Sequence, residues 1–391
     1  MTEPVWITGV GLVSCLGEGA APHLAALARP PADPATPPVV DATTFAPFPI
    51  HPLPPLNLDT QIPKKGDQRQ MEPWQRLGTY AAGLAIDHAG ARGLVADMHL
   101  VVAAGGGERD VPLDEAICKE LAGLPAGEVG PLLNERLANG LRPTLFLAQL
   151  SNLLAGNISI VHGVTGSSRT FMGEESAAAD AVRIAAARLA EGRGEMALVG
   201  GAYVAGRWDM ILLHSPSGGL WRGDWAPLAA RAAAGGGMVA GSAAAFLVLE
   251  TEGHARARSA KGLAVLRTVR SGAARRRAGD TAEASAAALA QGLPLRPGYA
   301  VVSGASGVAA PTAAEAGFLA GLSETGPARG LVRQTTDLLG HTVEAAFPAN
   351  LALAALAIEA GLVPQALVTG FGLWRGEALA VLDPIAEGAT A

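Results

Sequence analysis

Residues 166–176 read GSSRTFMGEES, and they lead into the Ala-rich run 177–191 and then into GEMALVGGA at residues 194–202. The Ala-rich run favours a helix, and the apolar residues 196–199 predict a buried strand. Glu175 therefore stands near the start of the helix, where the helix dipole favours a negative charge. A helix followed by a buried strand indicates a layered α/β fold.

Other segments of the chain alternate between strand and helix patterns in the same way. Further strands are predicted at residues 5–8, 100–104 and 246–250, and helices at residues 70–89 and 113–121. This alternation extends the α/β prediction over most of the chain.

The organisation of the chain indicates two related parts. Residues 5–9 and 301–304 each place a β-rich run before a glycine turn, which is a weak internal repeat. The charged, Arg-rich stretch at residues 267–280 is interpreted as the boundary between the two parts. The Pro-rich segment 30–63 lacks strong periodicity and is interpreted as an extended surface connection rather than an interdomain linker.

Composition bounds the class of protein. The 391 residues are 49% hydrophobic and 16% charged, with a mean hydropathy of +0.28, a composition that does not indicate disorder. The net charge of −6 argues against general nucleic-acid binding. The N-terminus lacks the pattern of a secretory signal, and the uncharged run 232–249 is too rich in Ala, Gly and Ser for a membrane span. A cytoplasmic protein is expected.

The two cysteines, Cys15 and Cys118, are too few for a disulfide framework and lack the spacing of metal ligands. Both are interpreted as structural thiols, because free cysteine is most often buried. No metal site is expected.

The stretch around Glu175 resembles the nucleophile segment of β-ketoacyl-ACP synthases, the thiolase-fold condensing enzymes of fatty-acid and polyketide synthesis. That family reads Gly-Pro-Ser, six residues, the catalytic cysteine, a buried helix, and a strand that ends in Gly-Gly-Ala. Counting nine positions from Gly166 reaches Glu175. An ionised carboxylate is a weak nucleophile, and its acyl product would be a mixed anhydride rather than a transferable thioester.

The resemblance spans nearly the whole chain, including the start at residues 5–14, the QRQM at 68–71, the GMVAG at 237–241, the LGH at 339–341 and the GFG at 370–372. It implies a thiolase-like α/β fold with two similar halves, each with a five-stranded sheet, in a five-layer αβαβα arrangement. The halves are expected at residues 1–255 and 256–391. No cofactor is implied.

The resemblance also allows the other catalytic positions to be compared. His341 matches the second family histidine, whereas Thr336 stands where the family has a lysine. Counting back eleven residues from Glu315 places Gly304 at the first family histidine. Phe371 lies in the segment that resembles the family's oxyanion-hole loop, although LWR replaces the usual Gly-Thr-Asn at residues 373–375.

Each retained position has a second interpretation. Glu175 either fills its own pocket by accepting the backbone N–H groups of a former oxyanion hole, or is a helix-start carboxylate paired with Arg169. The N–H of Phe371 either points inward, or its ring packs in the core at a glycine turn. His341 is either a relic of catalysis or a core histidine. Glu344 and Phe347 replace small family residues and are expected to narrow the space near His341.

These losses predict a synthase-like subunit without condensing activity, similar to chain-length factors. The alternatives are an active or repurposed 3-oxoacyl-ACP synthase or acyltransferase, and a homodimeric carrier-binding scaffold. The resemblance implies an acyl carrier protein docking at Lys64, Lys65 and Arg69. It also implies a catalytically intact synthase paralogue, or a second copy, bound through residues 145–160 and 196–199.

Overall fold

The computed structural model describes residues 3–29, 38–143, 145–272, 281–374 and 376–386. Its strands are β1 (Val5–Ser14), β2 (Gly17–Glu18), β3 (Ile50–His51), β4 (His99–Ala103), β5 (Ser168–Phe171), β6 (Met196–Tyr203), β7 (Ala240–Gly241), β8 (Ala243–Thr251), β9 (Ala264–Gly272), β10 (Ala300–Ser303), β11 (Val332–Gln334), β12 (Ala366–Phe371) and β13 (Glu377–Asp383).

The helices are α1 (Ala20–Leu27), α2 (Lys65–Gln70), α3 (Pro73–His88), α4 (Val111–Leu121), α5 (Ala126–Gly140), α6 (Leu145–Ala148), α7 (Leu153–His162), α8 (Glu174–Ala190), α9 (Trp208–His214), α10 (Leu228–Ala233), α11 (Glu252–Ala257), α12 (Ala282–Ala290), α13 (Ala309–Thr325), α14 (Thr336–Leu339) and α15 (Ala346–Glu359). Short 3₁₀ helices lie at Leu58–Thr60, Arg92–Leu94 and Val343–Ala345. No helix within the described ranges has the length and apolar character to cross a membrane.

Ten of the eleven strands in the large sheet form two five-stranded halves with the same topology, and the short β2 pairs with β1. The first half runs β5-β4-β6-β8-β1 and the second runs β11-β10-β12-β13-β9. In both halves the first two pairings are parallel and the next two are antiparallel. A short antiparallel pairing of β1 with β9, which sets Val5 opposite Leu266, joins the halves.

Helices and sheets alternate in five layers, which confirms the predicted αβαβα arrangement. Helices α3 and α7 pack on the outer face of the first half, and α12 and α13 pack on the outer face of the second half. Helices α8 and α15 lie between the halves and share one large core with both of them. The start of α8 is therefore held in the centre of the molecule.

Glycine and alanine permit these layers to approach closely. A methyl group at Gly11 of β1 would lie 1.9 Å from the backbone oxygen of Ala81 in α3, so no larger residue fits there. On α8, the buried residues that face the sheets include Ala177, Ala178, Ala181 and Ala185. Small side chains let a helix fit between two sheets without a cavity.

The predicted helix at residues 70–89 is present as α3, which begins at Pro73; Gln70 is the last residue of the preceding helix α2, and Met71 and Glu72 separate the two. Pro73 explains the break, because proline is tolerated at the first position of a helix but not inside one. Glu72 and Gln75 form a capping box at the start of α3. The other predicted strands and the helix at 113–121 are present, and most of them are longer than expected.

The interpretation of residues 267–280 as a boundary is wrong for its described part. Residues 267–272 belong to β9, which pairs with β13 inside the second half, and residues 273–280 lie outside the described residues. The two halves share one topology, but the expected correspondence of residues 5–9 with residues 301–304 is wrong. By their order in the sheet, β1 matches β9, and the strand at 301–304 matches β4. The division at residue 255 stays a proposal.

The Pro-rich segment is more than a surface connection. Residues 30–37 lie outside the described residues. In the remainder, β3 pairs with β7, and Phe45, Phe48 and Ile50 are buried in a small core with Tyr203. The expectation of a purely extended excursion is therefore wrong, because three apolar side chains anchor this segment.

The two cysteines differ in environment. Cys15 is buried, its Sγ donates to the carbonyl of Leu338 at 3.2 Å, and burial raises the pKa of its thiol to about 12. It is an inert structural thiol, as predicted. Cys118 is exposed on α4, so the same interpretation is wrong there.

The predicted partner surface is partly misplaced. Strand β6, which contains residues 196–199, lies inside the sheet between β4 and β8 and is fully buried, so it cannot contact a partner. The strand at the edge of the first half is β5, which pairs with β4 alone within the described residues. Residues 145–160 form α6 and most of α7. In α7, Ile158 is fully buried and Ile160 is 73% exposed.

Two substitutions on α7 test this placement. Ile158→Asp should lower the free energy of unfolding by about 4 kcal/mol or more, because it buries a carboxyl group in an apolar core. Ile160→Asp, two residues away, should change it by at most about 0.5 kcal/mol. Urea denaturation of both variants measures the difference, and equal losses would contradict the orientation of α7.

Candidate functional site

Glu175 lies in the first turn of α8, which begins shortly after β5 ends at Phe171. Gly173 precedes the helix with a φ of 117°, a conformation that favours glycine. The Glu175 side chain is 6% exposed, and its Oε1 accepts a hydrogen bond from His341 Nε2 at 2.6 Å. The position predicted for the nucleophile thus holds a buried carboxylate with a histidine partner.

His341 is held by its own backbone. Its N–H donates to the carbonyl of Val239 at 2.8 Å, and its carbonyl accepts the N–H of Gly241 at 2.9 Å. Gly340 has a φ of 73° and packs so closely on Gly241 that a methyl group there would lie 2.7 Å from its Cα. The ring is fully buried, and Nδ1 has no hydrogen-bond partner among the described residues. The backbone therefore fixes the ring toward Glu175.

The pKa of the Glu175 carboxyl lies below its usual range. Burial alone would raise this pKa, but the hydrogen bond and the charge of His341 lower it by more. The backbone N–H of Leu373 contributes in the same direction, donating to Oε2 at 3.4 Å. Glu175 is therefore an anion held by donors from the second half of the chain.

The space behind Glu175 is closed. A cavity lined by Glu175, Gly304, Phe347, Asn350 and Phe371 has a volume of about 10 Å³. This is at the lower limit for one water molecule and far too small for an acyl chain. The contacts favour the interpretation that Glu175 fills its own pocket. Arg169 is exposed on β5, and the partner of Glu175 is His341 instead.

The sequence offered Phe371 either as a core side chain or as the source of an inward-pointing N–H, and the structure places these two features on different residues. The Phe371 ring is buried and packs against Phe318, with ring centroids 6.0 Å apart. The N–H that reaches the Glu175 carboxylate is that of Leu373, two residues further on. The role of Leu373 could not be predicted from the sequence, since any residue type can supply a backbone N–H donor. Arg375, the end of the divergent LWR, lies outside the described residues.

Gly304 and Thr336, the positions assigned to the lost histidine and lysine, each form a hydrogen bond with a neighbouring segment. Gly304 donates its N–H to Thr369 Oγ1 at 3.0 Å, and a methyl group at Gly304 would lie 2.4 Å from the Thr369 carbonyl oxygen. Any side chain at 304 would therefore displace β12. Thr336 donates its hydroxyl to the carbonyl of Ala305 at 2.9 Å. That these are the family's histidine and lysine positions stays a prediction.

A second cavity, of about 250 Å³, lies beside the first turn of α8. Its walls include Glu174, Tyr203, Arg207, His214 and Glu344. Burial raises the pKa of Glu344 to about 7, and the neighbouring Glu175 adds to the effect. Glu344, which was expected to narrow the space near His341, places its carboxyl group in the wall of this cavity. Tyr203 and His214 were missed, because lone polar residues in apolar runs carry no pattern.

The candidate carrier-binding residues lie elsewhere. Lys64, Lys65 and Arg69 are exposed at the start and on the surface of α2, and Lys65 forms a 2.5 Å ion pair with Asp59. None of the three lines either cavity. Within the described ranges, no group of three or more histidine, cysteine and carboxylate side chains could hold a metal ion.

A two-fold repeat of five strands around two central helices, with a site at the start of one of them, defines a thiolase-like protein. A family model for the N-terminal domain of β-ketoacyl synthases matches residues 54–255, about half of the chain. The chain belongs to the β-ketoacyl synthase family, as the resemblance implied.

Individual relatives agree with this assignment. The chain is similar to 3-oxoacyl-[acyl-carrier-protein] synthase 2 of Vibrio harveyi, with 27% identity over 79% of this chain and 74% of the relative. Its fold is similar to that of the ishigamide ketosynthase/chain length factor, with a TM-score of 0.78 and 18% identity over 99% of this chain and 100% of the other. Its fold is also similar to that of a type II polyketide synthase ketosynthase solved in complex with its acyl carrier protein. The TM-score is 0.75, with 17% identity over 98% of this chain and 100% of the other.

The carboxylate–histidine pair should contribute strongly to stability. Glu175→Ala should lower the free energy of unfolding by about 3 kcal/mol, because it leaves His341 buried without its partner. Glu128, also an acidic residue in the first turn of a helix, is exposed, and Glu128→Ala should cost less than about 1 kcal/mol. Chemical denaturation of both variants measures the two losses. Equal small losses would show that the pair is not formed.

Proposed function

We propose that this chain is a non-condensing, ketosynthase-like partner subunit, similar to a chain-length factor, that acts with a β-ketoacyl-ACP synthase in fatty-acid or polyketide elongation. The observation that carries the proposal is that Glu175, at the position predicted for the family nucleophile, is a buried carboxylate bonded to His341. We infer that the subunit works in the cytoplasm, where carrier-bound acyl groups are elongated.

Condensation requires a nucleophile that accepts an acyl group and a cavity that holds it. Carboxylates do not form transferable thioesters, and the closed cavity of about 10 Å³ behind Glu175 leaves no room for an acyl chain. The donor that could stabilise an oxyanion, the Leu373 N–H, already bonds to Glu175. Each observation independently opposes an active synthase.

The purified chain should neither accept an acyl group from acyl-ACP nor condense it with malonyl-ACP. Glu175→Cys alone should not restore turnover, because Gly304 and Thr336 provide neither an imidazole nor an ammonium group. Intact-protein mass spectrometry detects acylation, and release of carbon dioxide detects decarboxylation. Condensation by the wild type would establish the alternative of an active synthase.

The edge of the sheet supports association with a second subunit. Strand β5 leaves one side of its backbone without a strand partner in the described residues, and such edges pair with other chains. Two large apolar side chains near it in the sequence, Ile160 and Met172, are 73% and 69% exposed. Phe146 of α6 is 70% exposed as well. An obligate interface of this kind buries roughly 2,000 Å² or more.

Co-expression with an intact synthase paralogue should give a complex that Ile160→Asp and Met172→Asp dissociate in size-exclusion chromatography. Leu362→Asp, which changes an equally apolar and half-exposed residue in the second half of the chain, should leave the complex intact. The partner should make shorter or fewer products without this chain. Unchanged products would oppose the chain-length-factor role, and a stable homodimer that binds carrier would favour the scaffold alternative.

We also propose that the acidic carrier protein docks at α2. Lys64 and Arg69 are exposed there, and the ion pair of Lys65 with Asp59 is a surface pair of small energetic value. Because these cations are solvated, they remain available to a carrier.

Charge reversal at Lys64 and Lys65 should weaken carrier binding to the assembled complex, more at low salt than at high salt. Lys119→Glu, which reverses an exposed cation on α4, should have no effect. Fluorescence anisotropy with labelled carrier measures both. If the variant with reversed charges at Lys64 and Lys65 bound the carrier as tightly as the wild type at low salt, α2 would be excluded as the docking site.

A further inference from the structure

Another cavity, of about 270 Å³, lies where β1 and β9 join the two halves of the sheet. We call it the junction pocket. Trp6 of β1 and Arg256 of α11, which packs on β1 and β8, line it on the side of the first half. Arg267 of β9, Arg296 and residues 384–386 line it on the side of the second half. The junction pocket shares no residue with the two cavities at the start of α8.

Two arginines of the junction pocket converge on one buried carboxylate. Arg267 Nε donates to Asp383 Oδ2 at 2.9 Å, and Arg296 Nη2 donates to the same oxygen at 3.1 Å. Asp383 is 2% exposed, and its other oxygen accepts a hydrogen bond from Gln365 Nε2 at 2.7 Å. Because the carboxylate is fixed, it holds the two guanidinium groups side by side at the wall of the pocket.

The charges of the junction pocket favour an anion. The single charge of Asp383 balances only one of the two cations that it binds. Arg256 adds a third cation, and its Nε donates to Glu252 Oε1 at 2.9 Å. The three arginines exceed the two carboxylates, so the pocket has a net positive charge. Like charges that are held close together repel each other, and an anion placed between them relieves this repulsion.

Arg267 and Arg296 also have hydrogen-bond donors to offer. Among the described residues, each uses one side-chain nitrogen, for Asp383. The side chains of Arg267 and Arg296 are 46% and 58% exposed, so a ligand from solvent can reach the other N–H groups. A guanidinium presents its N–H groups as a planar fork that binds phosphate at two points.

The floor of the junction pocket is apolar. The Trp6 side chain is 2% exposed, and Arg256 covers it with the guanidinium carbon 5.2 Å from the ring centroid. Val265 and Ile385 pack beside Trp6. A volume of about 270 Å³ lies just below the usual range for small-ligand pockets, roughly 300–1,000 Å³. A fitting ligand is therefore small and has an apolar part next to its charged group.

We propose that the junction pocket binds a small phosphate monoester, with the phosphate group on Arg267 and Arg296 and the apolar part against Trp6 and Val265. Free phosphate provides the same charged group without the apolar part. A ligand in this position contacts both halves of the chain next to the short pairing of β1 with β9. This binding site is separate from the proposed role as a partner subunit and does not depend on it.

Isothermal titration calorimetry on the purified full chain tests the proposal with phenyl phosphate, inorganic phosphate and phenol as separate probes. Phenyl phosphate should bind at least about ten-fold more tightly than phenol and several-fold more tightly than inorganic phosphate. Its affinity should fall as salt is added, because the arginines are partly exposed. Equal affinities of the two phosphates would assign the pocket to free phosphate and overturn the monoester. Absence of binding by both phosphates would overturn the site itself.

Substitutions at the two arginines locate the binding site. Arg267→Gln and Arg296→Gln should each lower the affinity for phenyl phosphate about ten-fold, since each removes a charge and a donor fork. Arg296→Lys keeps a cation beside Asp383 and preserves the fold, but it loses the fork and should lower the affinity about three-fold. Wild-type affinity in all three variants would contradict the assignment of the phosphate to these arginines.

Arg136→Gln is the matched control. Arg136 is 44% exposed and is paired with Glu120 at 2.7 Å, much as Arg267 is paired with Asp383, but it lies on α5 and does not line the junction pocket. The affinity of Arg136→Gln for phenyl phosphate should equal that of the wild type. An equal loss in Arg136→Gln and Arg267→Gln would show that the phosphate responds to the overall charge of the protein, which overturns the site.

Melting temperatures separate ligand binding from damage to the fold. Saturating phenyl phosphate should raise the melting temperature of the wild type and of Arg136→Gln by similar amounts, because a ligand that binds only the folded state stabilises it. Arg267→Gln should show a much smaller rise, whatever its melting temperature without the ligand. An equal rise in Arg267→Gln and the wild type would place the bound phosphate outside the junction pocket.

Discussion

The hydrogen bond between Glu175 and His341 joins the two halves of the molecule at their centre. Glu175 begins the central helix α8 of the first half, and His341 lies in the loop before the central helix α15 of the second half. A carboxylate without a donor is costly to bury, so the start of α8 depends on the loop that carries the histidine. The Leu373 N–H adds a second donor from another part of the second half. One residue thus links three separate segments of the chain.

Much of the fold could be predicted because its signals are local. The apolar run of β1 predicts a buried strand, and the Ala-rich run of α8 predicts a helix. The resemblance then supplied the five layers, which no local pattern contains. The sequence predictions were wrong where the structure of a segment depends on its place in the sheet. Residues 267–272 look like a charged linker but belong to β9, since their arginines reach acceptors while the backbone pairs with β13.

The site could be predicted only in part, for a physical reason. Counting along a motif found Glu175 and His341, but not that they touch, because a contact across 166 residues is a property of the fold. Leu373 contributes a backbone N–H whose importance comes from what surrounds it. For Cys118 the residue type was misleading. Cysteine is usually buried, but this one lies on the exposed side of α4.

The two ends of the large sheet are not equivalent. At one end, β11 has three residues, and Arg333 within it donates to the carbonyls of Leu27 and Arg29, which fastens the chain beyond α1 over that side. At the other end, β5 carries no such cover in the part of the chain that the structure describes. A sheet that can be extended at one end only accepts one neighbour and then has no further edge to offer. The two ends of one sheet therefore offer different access to a strand from another chain.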